Sequence, residues 1–190
     1  MKKIITIFVA LLTMTTTLKA QENLFKEGDM VLNAGVGFGW YSYGYGVSSL
    51  PAISLSLEKG VKEIDLGTIS IGGIVGFKHA SYSWSAGYDD YSWTDFIVAA
   101  RGAIHVNVLD VDNLDTYGGV ALGLRFQSYN TYDIVGVFPN WTYEKVRKTD
   151  ANPLFAVYFG GRYYFNKKFG AFGEVGYGLG YLTLGVSYKF

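Results

Sequence analysis

Tyr181-Leu-Thr-Leu-Gly-Val-Ser-Tyr-Lys-Phe190 decides how the rest of the sequence is read. Counting back by twos from its end, Phe190, Tyr188, Val186, Leu184 and Leu182 are large and apolar. Between them lie Lys189, Ser187, Gly185 and Thr183, which are small, polar or charged. A period of two sends alternate side chains to opposite faces, so the stretch specifies a strand between two unlike environments. A soluble strand resting on a core has the same period. What separates the cases is which face turns inward.

The other end of the chain bears on that choice. Lys2 and Lys3, the apolar run Ile4 to Leu12, and Leu18-Lys19-Ala20 before Gln21 have the layout of a secretory signal, so residues 1–20 are expected to be removed. The apolar run is shorter than the ~20 residues a membrane-crossing helix needs. Residues 21–190 then form one domain. With no cysteine, neither a disulfide framework nor a lipid-anchored N-terminal cysteine is available. Formal charge is zero for the whole chain and slightly acidic once Lys2, Lys3 and Lys19 are gone, so no basic patch for nucleic acid is expected. Aromatic residues make up 17% of the chain, with 25 glycines and only three prolines. That balance departs from an average soluble domain and suits a barrel with aromatic belts outside and small residues in a narrow interior.

After a polar lead-in, Gln21 to Asp29, alternation recurs in segments Met30 to Trp40, Ala52 to Lys59, Leu66 to Ala80, Ser92 to Asn107, Thr116 to Tyr129, Pro153 to Phe165 and Phe169 to Gly178. With the closing stretch these make eight strands. Connections after the second, fourth and sixth are short (Gly60 to Asp65, Asp110 to Asp115, Asn166 to Lys168). Those after the first, third and fifth are longer and aromatic, and Asn130 to Asn152 reads as the longest irregular loop. This predicts an all-β, eight-stranded antiparallel up-and-down transmembrane β-barrel, closed because an open edge would leave backbone groups unpaired in hydrocarbon. One face carries Leu122, Leu124, Phe155, Phe159 and their equivalents, and the other carries Glu58, Arg101, Arg125, Arg162 and Glu174. A soluble ligand-binding barrel would place its large apolar residues inside. Here the charges belong inside.

On these features (signal, eight alternating segments, and the ending Leu184-Gly185-Val186-Ser187-Tyr188-Lys189-Phe190) the chain resembles the small OmpA-like or OmpX-like outer-membrane β-barrels. The resemblance implies a bacterial outer-membrane location with both termini periplasmic. It also implies Phe190 and Tyr188 as an assembly signal read by the barrel-assembly machinery after escort by periplasmic chaperones. Some members add a peptidoglycan-binding domain. With Phe190 read as the barrel's closing residue, no such domain is expected here, and no anchoring role is carried over.

Charges inside an eight-stranded barrel must pair or they cost several kcal/mol each. Arg101, Arg125, Arg162 and Glu174 fall on adjacent strands, which predicts a lumen network joined by Glu58 or Asp95. Its alternative is an ion or small-solute pathway, disfavoured because side chains fill a barrel this narrow. His79-Ala80-Ser81 is similar to the His-x-Ser pair of outer-membrane lipid A deacylases, but an orienting acid is missing: no glutamate occurs between Glu63 and Glu144. A lipid A-modifying hydrolase is therefore the distant alternative, and no catalytic residue is assigned. Asp110-Val-Asp-Asn-Leu-Asp115 lacks the glycine and closing glutamate of a calcium loop and reads as turn formers. No metal or cofactor is expected. Aromatic residues of the outer rim mostly suit an interfacial girdle, whereas Trp84, Tyr88 and Trp141, deep in loops, are candidates for binding. The expected protein is a non-enzymatic barrel among outer-membrane lipids and lipopolysaccharide. It would be structural or surface-interacting through its extracellular loops, with its external ligand unspecified.

Overall fold

The computed structural model describes residues 24–39, 47–82, 91–107, 109, 111–137, 140–177 and 181–190. The leader expected at 1–20 and the loop aromatics Trp84 and Tyr88 lie outside them. Among the described residues are nine strands: β1 (Met30–Phe38), β2 (Val47–Ser49), β3 (Ala52–Ile64), β4 (Gly67–Tyr82), β5 (Tyr91–His105), β6 (Leu114–Val137), β7 (Asn140–Tyr164), β8 (Phe169–Tyr177) and β9 (Leu182–Lys189). Every pairing is antiparallel, and β4–β5 and β1–β9 close the sheet into a ring.

The ring has eight staves because β2 and β3 lie along the same edge of β4. β3 pairs with Gly67 to Phe77, and β2 takes over at Ala80 to Tyr82. Pro51 stands at the break, where it has no N–H to give the ladder, and the Leu50 amide donates to the His79 carbonyl instead. Tyr41 to Leu50 is thus not wholly loop, as its Tyr, Gly and Ser content suggested. The expected turn at Gly60 is also displaced. β3 runs on to Ile64 through a bulge between Gly60 and Lys62, and the reversal falls at Asp65-Leu66.

The largest departure is at Asn130 to Asn152. The expected irregular loop is instead the continuation of β6 and β7, 24 and 25 residues long, paired without a break from Leu114↔Tyr163 to Val137↔Asn140. Mixed charges hid the strand. Above the membrane both faces of a hairpin can be wetted, so apolar alternation is no longer required there.

Side-chain polarity is inverted relative to a soluble protein. Leu122, Phe159 and Val186 are each at least 61% exposed on the outer wall, while Arg162 and Glu58 are at most 1% exposed within it. Only a hydrocarbon surround makes such an exterior stable, since an exposed apolar band of this extent would aggregate in water. The chain is an eight-stranded antiparallel up-and-down transmembrane β-barrel.

Candidate functional site

Two features rise above the scaffold: the charged lumen and the long hairpin. In the lumen, inward parity brings Glu58 of β3, Arg101 and His105 of β5, Asp115 and Tyr117 of β6, Tyr158 and Arg162 of β7 and Glu174 of β8 into one buried cluster. Arg101 Nη2 donates to Glu174 Oε1 at 2.7 Å and lies 2.9 Å from Glu58 Oε1. Its Nε donates to the Tyr158 hydroxyl at 3.0 Å, and the guanidinium sits 4.1 Å from the centre of that ring. Tyr117 donates its hydroxyl to the same Glu174 oxygen at 2.9 Å. Arg162 Nη1 donates to Asp115 Oδ2 at 2.9 Å, with Nη2 3.9 Å from Glu58 Oε1. His105 places Nδ1 2.9 Å from Asp115 Oδ1 and Nε2 3.0 Å from Ser70 Oγ and 3.4 Å from Glu58 Oε2.

Room for these groups comes from the strand between them, where Gly160 of β7 pairs with Tyr117 of β6 on one side and Glu174 of β8 on the other. A Cβ added at Gly160 would sit 2.8 Å from the Tyr117 ring and 2.9 Å from Glu174 Cγ, so glycine there admits both side chains. Burying so many charges is tolerable only because each guanidinium meets carboxylate and aromatic faces at once.

Arg125 and Asp95 form a separate pair, Arg125 Nη2 lying 3.1 Å from both carboxylate oxygens. Lys78 is buried and stands opposite Asp95 in the strand register. An apolar layer that includes Ile74, Ile97, Ala99, Leu154 and Ala156 separates this pair from the larger cluster. Of the six residues expected in one network, the structure therefore joins Arg101, Arg162, Glu174 and Glu58, and sets Arg125 and Asp95 apart.

Five contributors were outside the expected network, and two of them, Tyr117 and Tyr158, were read only as inward-facing. Asp115 was expected in a turn, yet it begins β6 and is buried opposite Arg162 in register. Extending the inward parity of Tyr117 by two residues would have found it. His105 was on the inward face but not in the network. Phe25, expected in a polar lead-in, is fully buried and stacks on His105 with ring centroids 4.1 Å apart.

His79, half-buried, contacts Thr94 Oγ1 through Nδ1 at 3.0 Å. Its described partner is thus a threonine, and the nearby Asp95 is engaged by Arg125. Asp115, which the sequence placed in a turn, is engaged by His105 and Arg162.

The hairpin outgrows its neighbours. Among the described residues, β5 pairs with β6 as far as Trp93↔Tyr129, and β8 pairs with β7 from Val157↔Tyr177. On its outer face Leu122/Phe155 and Leu124/Pro153 give way to Ser128/Thr149 and Asn130/Arg147. That change marks the membrane boundary near Phe126/Ala151. From Tyr129 to Val137 the pair extends roughly 26 Å at about 3.3 Å per residue. Pro153 fits this edge, since no β8 residue pairs with β7 at that height among the described residues. Trp141 is in backbone register with Gly136; its side chain lies outside the described set.

With architecture and site in view, the chain can be set beside known proteins. No family model matches it, and no curated protein is similar to it in sequence. Among solved structures it is similar to Ail, the attachment invasion locus protein of Yersinia pestis, in complex with the heparin analogue sucrose octasulfate. Identity is 15%, coverage 86% of this chain and 99% of that one, and TM-score 0.49. It is similar also to the N-terminal β-barrel domain of Pseudomonas aeruginosa OprF (14% identity, 86% and 98% coverage, TM-score 0.44). The translocator domain of the autotransporter NalP from Neisseria meningitidis follows (13% identity, 97% and 95% coverage, TM-score 0.33). At these distances the fold stands on its own strand register and polarity, and the site on its own residues.

Proposed function

We propose that this is an integral bacterial outer-membrane protein that works through its β6–β7 hairpin, with the barrel as a sealed pedestal. The observation that carries the reading is the hairpin's unbroken pairing beyond the membrane boundary at Phe126/Ala151. A pedestal alone has no need of that length. Leu24–Asp29 and Phe190 lie at the end with the short turns, which would face the periplasm, and the hairpin would face outside. Tyr188 and Phe190, edge to face at 5.0 Å, would be the residues read by the barrel-assembly machinery after delivery by periplasmic chaperones.

Lys145 and Arg147 are exposed and share the outer-face register, four to six residues above the apolar band on the paired strand. There they would meet the phosphates of lipopolysaccharide at the outer surface. The reading is non-enzymatic. Its test is to count glycolipid retained by detergent-washed protein and by a Lys145→Glu/Arg147→Glu variant. Loss in the variant, with the same heat-dependent gel shift, supports it; equal retention refutes the glycolipid contact. Replacing residues 128–149 by a short turn separates pedestal from working part. The barrel should still fold while surface binding disappears.

A narrow conducting pore is the competing reading. The apolar layer of Ile74, Ile97 and Leu154 across the lumen weighs against it, and planar-bilayer recording of the folded protein decides between them.

A further inference from the structure

The segment Leu24–Asp29 crosses the short-turn end of the barrel and is tied down at several points. Lys189 Nζ donates to the Leu24 carbonyl at 2.7 Å and pairs with Asp29 Oδ2 at 2.5 Å. Gly28 N donates to the Gly60 carbonyl, and Gly60 N to the Asp29 carbonyl, both at 2.9 Å. A Cβ at Gly60 would lie 2.2 Å from the Lys26 carbonyl oxygen, so the strap can lie this close only over glycine. Between these ties Phe25 enters the lumen and lies flat on His105, with an interplanar angle of 23°.

The cluster beneath has a charge count that depends on His105. Three buried carboxylates (Glu58, Asp115 and Glu174) face two guanidiniums (Arg101 and Arg162). Only a doubly protonated His105 brings the sum to zero. Its geometry agrees, since Nδ1 faces Asp115 and Nε2 faces Ser70 and Glu58. With Nδ1–H on Asp115, a bare Nε2 would accept from the Ser70 hydroxyl but would still hold its lone pair 3.4 Å from Glu58 Oε2, a repulsion that a second N–H turns into attraction. The remaining groups around it do not alter the count. Tyr117 and Tyr164 are phenols, Asp29 and Lys189 neutralise each other, and Lys26 is exposed.

We propose that Leu24–Asp29 is a proton-sensitive latch, docked while His105 is an imidazolium and released when it becomes neutral. Loss of the proton removes the cation from beneath the Phe25 ring and leaves one uncompensated negative charge in a sealed interior. Opening the strap lets water reach that charge, so deprotonation and release favour each other. Docking holds on the acid side of the transition and fails on the alkaline side.

Trypsin cleavage after Lys26 reads the strap directly. It is to be measured on the full-length folded barrel from about pH 6 to about pH 10, with each rate normalised to a free peptide of residues 24–29 at the same pH, because cleavage tracks the open population. The wild-type strap should be cut at least about tenfold slower than the peptide at low pH and approach the peptide rate at high pH. Phe25→Ala and His105→Gln should both be cut rapidly throughout. Slow wild-type cleavage at every pH overturns the latch, and so does slow cleavage of a folded His105→Gln barrel. Should His105→Gln fail to show the folded band on unboiled gels, the wild-type profile and Phe25→Ala still decide.

Discussion

Glu174 is the residue whose loss should register most clearly in stability. It is 8% exposed and accepts from Arg101 at 2.7 Å and from Tyr117 at 2.9 Å through one oxygen. Replacing it with alanine removes both bonds and leaves Arg101 with Glu58 as its sole carboxylate. Breaking a buried pair by deleting one partner costs roughly 3–5 kcal/mol. Glu58 stays 2.9 Å away and Tyr158 still accepts from Nε, which places Glu174→Ala near the lower end, about 3 kcal/mol. With a urea dependence of about 2 kcal/mol per molar, the unfolding midpoint should fall by roughly 1.5 M. Glu174→Gln keeps an acceptor for Tyr117 and similar volume and should lose about half as much. The assay is urea titration of protein refolded in lipid vesicles, followed by tryptophan emission and by the heat-dependent gel shift. An unchanged midpoint for alanine would refute the network as a source of stability. Equal losses for alanine and glutamine would locate the effect in charge alone and refute the role given to the hydrogen bonds.

Other substitutions probe different parts of the account. Gly160→Leu would press a side chain into the Tyr117 ring and Glu174, so it should destabilise by at least about 1–3 kcal/mol in the same titration. Leu122→Arg places a charge on the lipid face and should cost about 2–4 kcal/mol, whereas Thr149→Arg, on the same face beyond the boundary, should cost no more than about 1. A polar residue at Phe190 should reduce the folded fraction recovered from membranes, seen as loss of the fast-migrating band on unboiled gels.

Much of the fold was legible because lipid enforces a strict rule. Wherever a strand crosses hydrocarbon, every second residue must be apolar, and Leu122-x-Leu124 or Leu182-x-Leu184-x-Val186 state this openly. The same rule fell silent at Asn130 to Asn152, where water wets both faces of the pair and charges no longer mark a loop. Glu58, Arg101, Arg162 and Glu174 were legible by parity alone. Which of them meet was not, since contact across the lumen depends on strand register and barrel stagger rather than on position along a strand. Asp115 was hidden by its own chemistry: in a run of Asp and Asn it reads as a turn former, and only the register opposite Arg162 draws it inside. Phe25 gave no periodic signal, being one aromatic residue in a polar lead-in. Its role depends on the bare Gly60 beneath the strap.

The central claim is the inversion of inside and outside, and nuclear Overhauser contacts to lipid test it most directly. In a barrel with labelled methyl groups, acyl-chain protons should give cross-peaks to Leu122, Leu124 and Val186 and none to Ile97, which is fully buried in the lumen. Lipid contacts at Ile97, or water contacts in place of lipid at Leu122 and Val186, would contradict it.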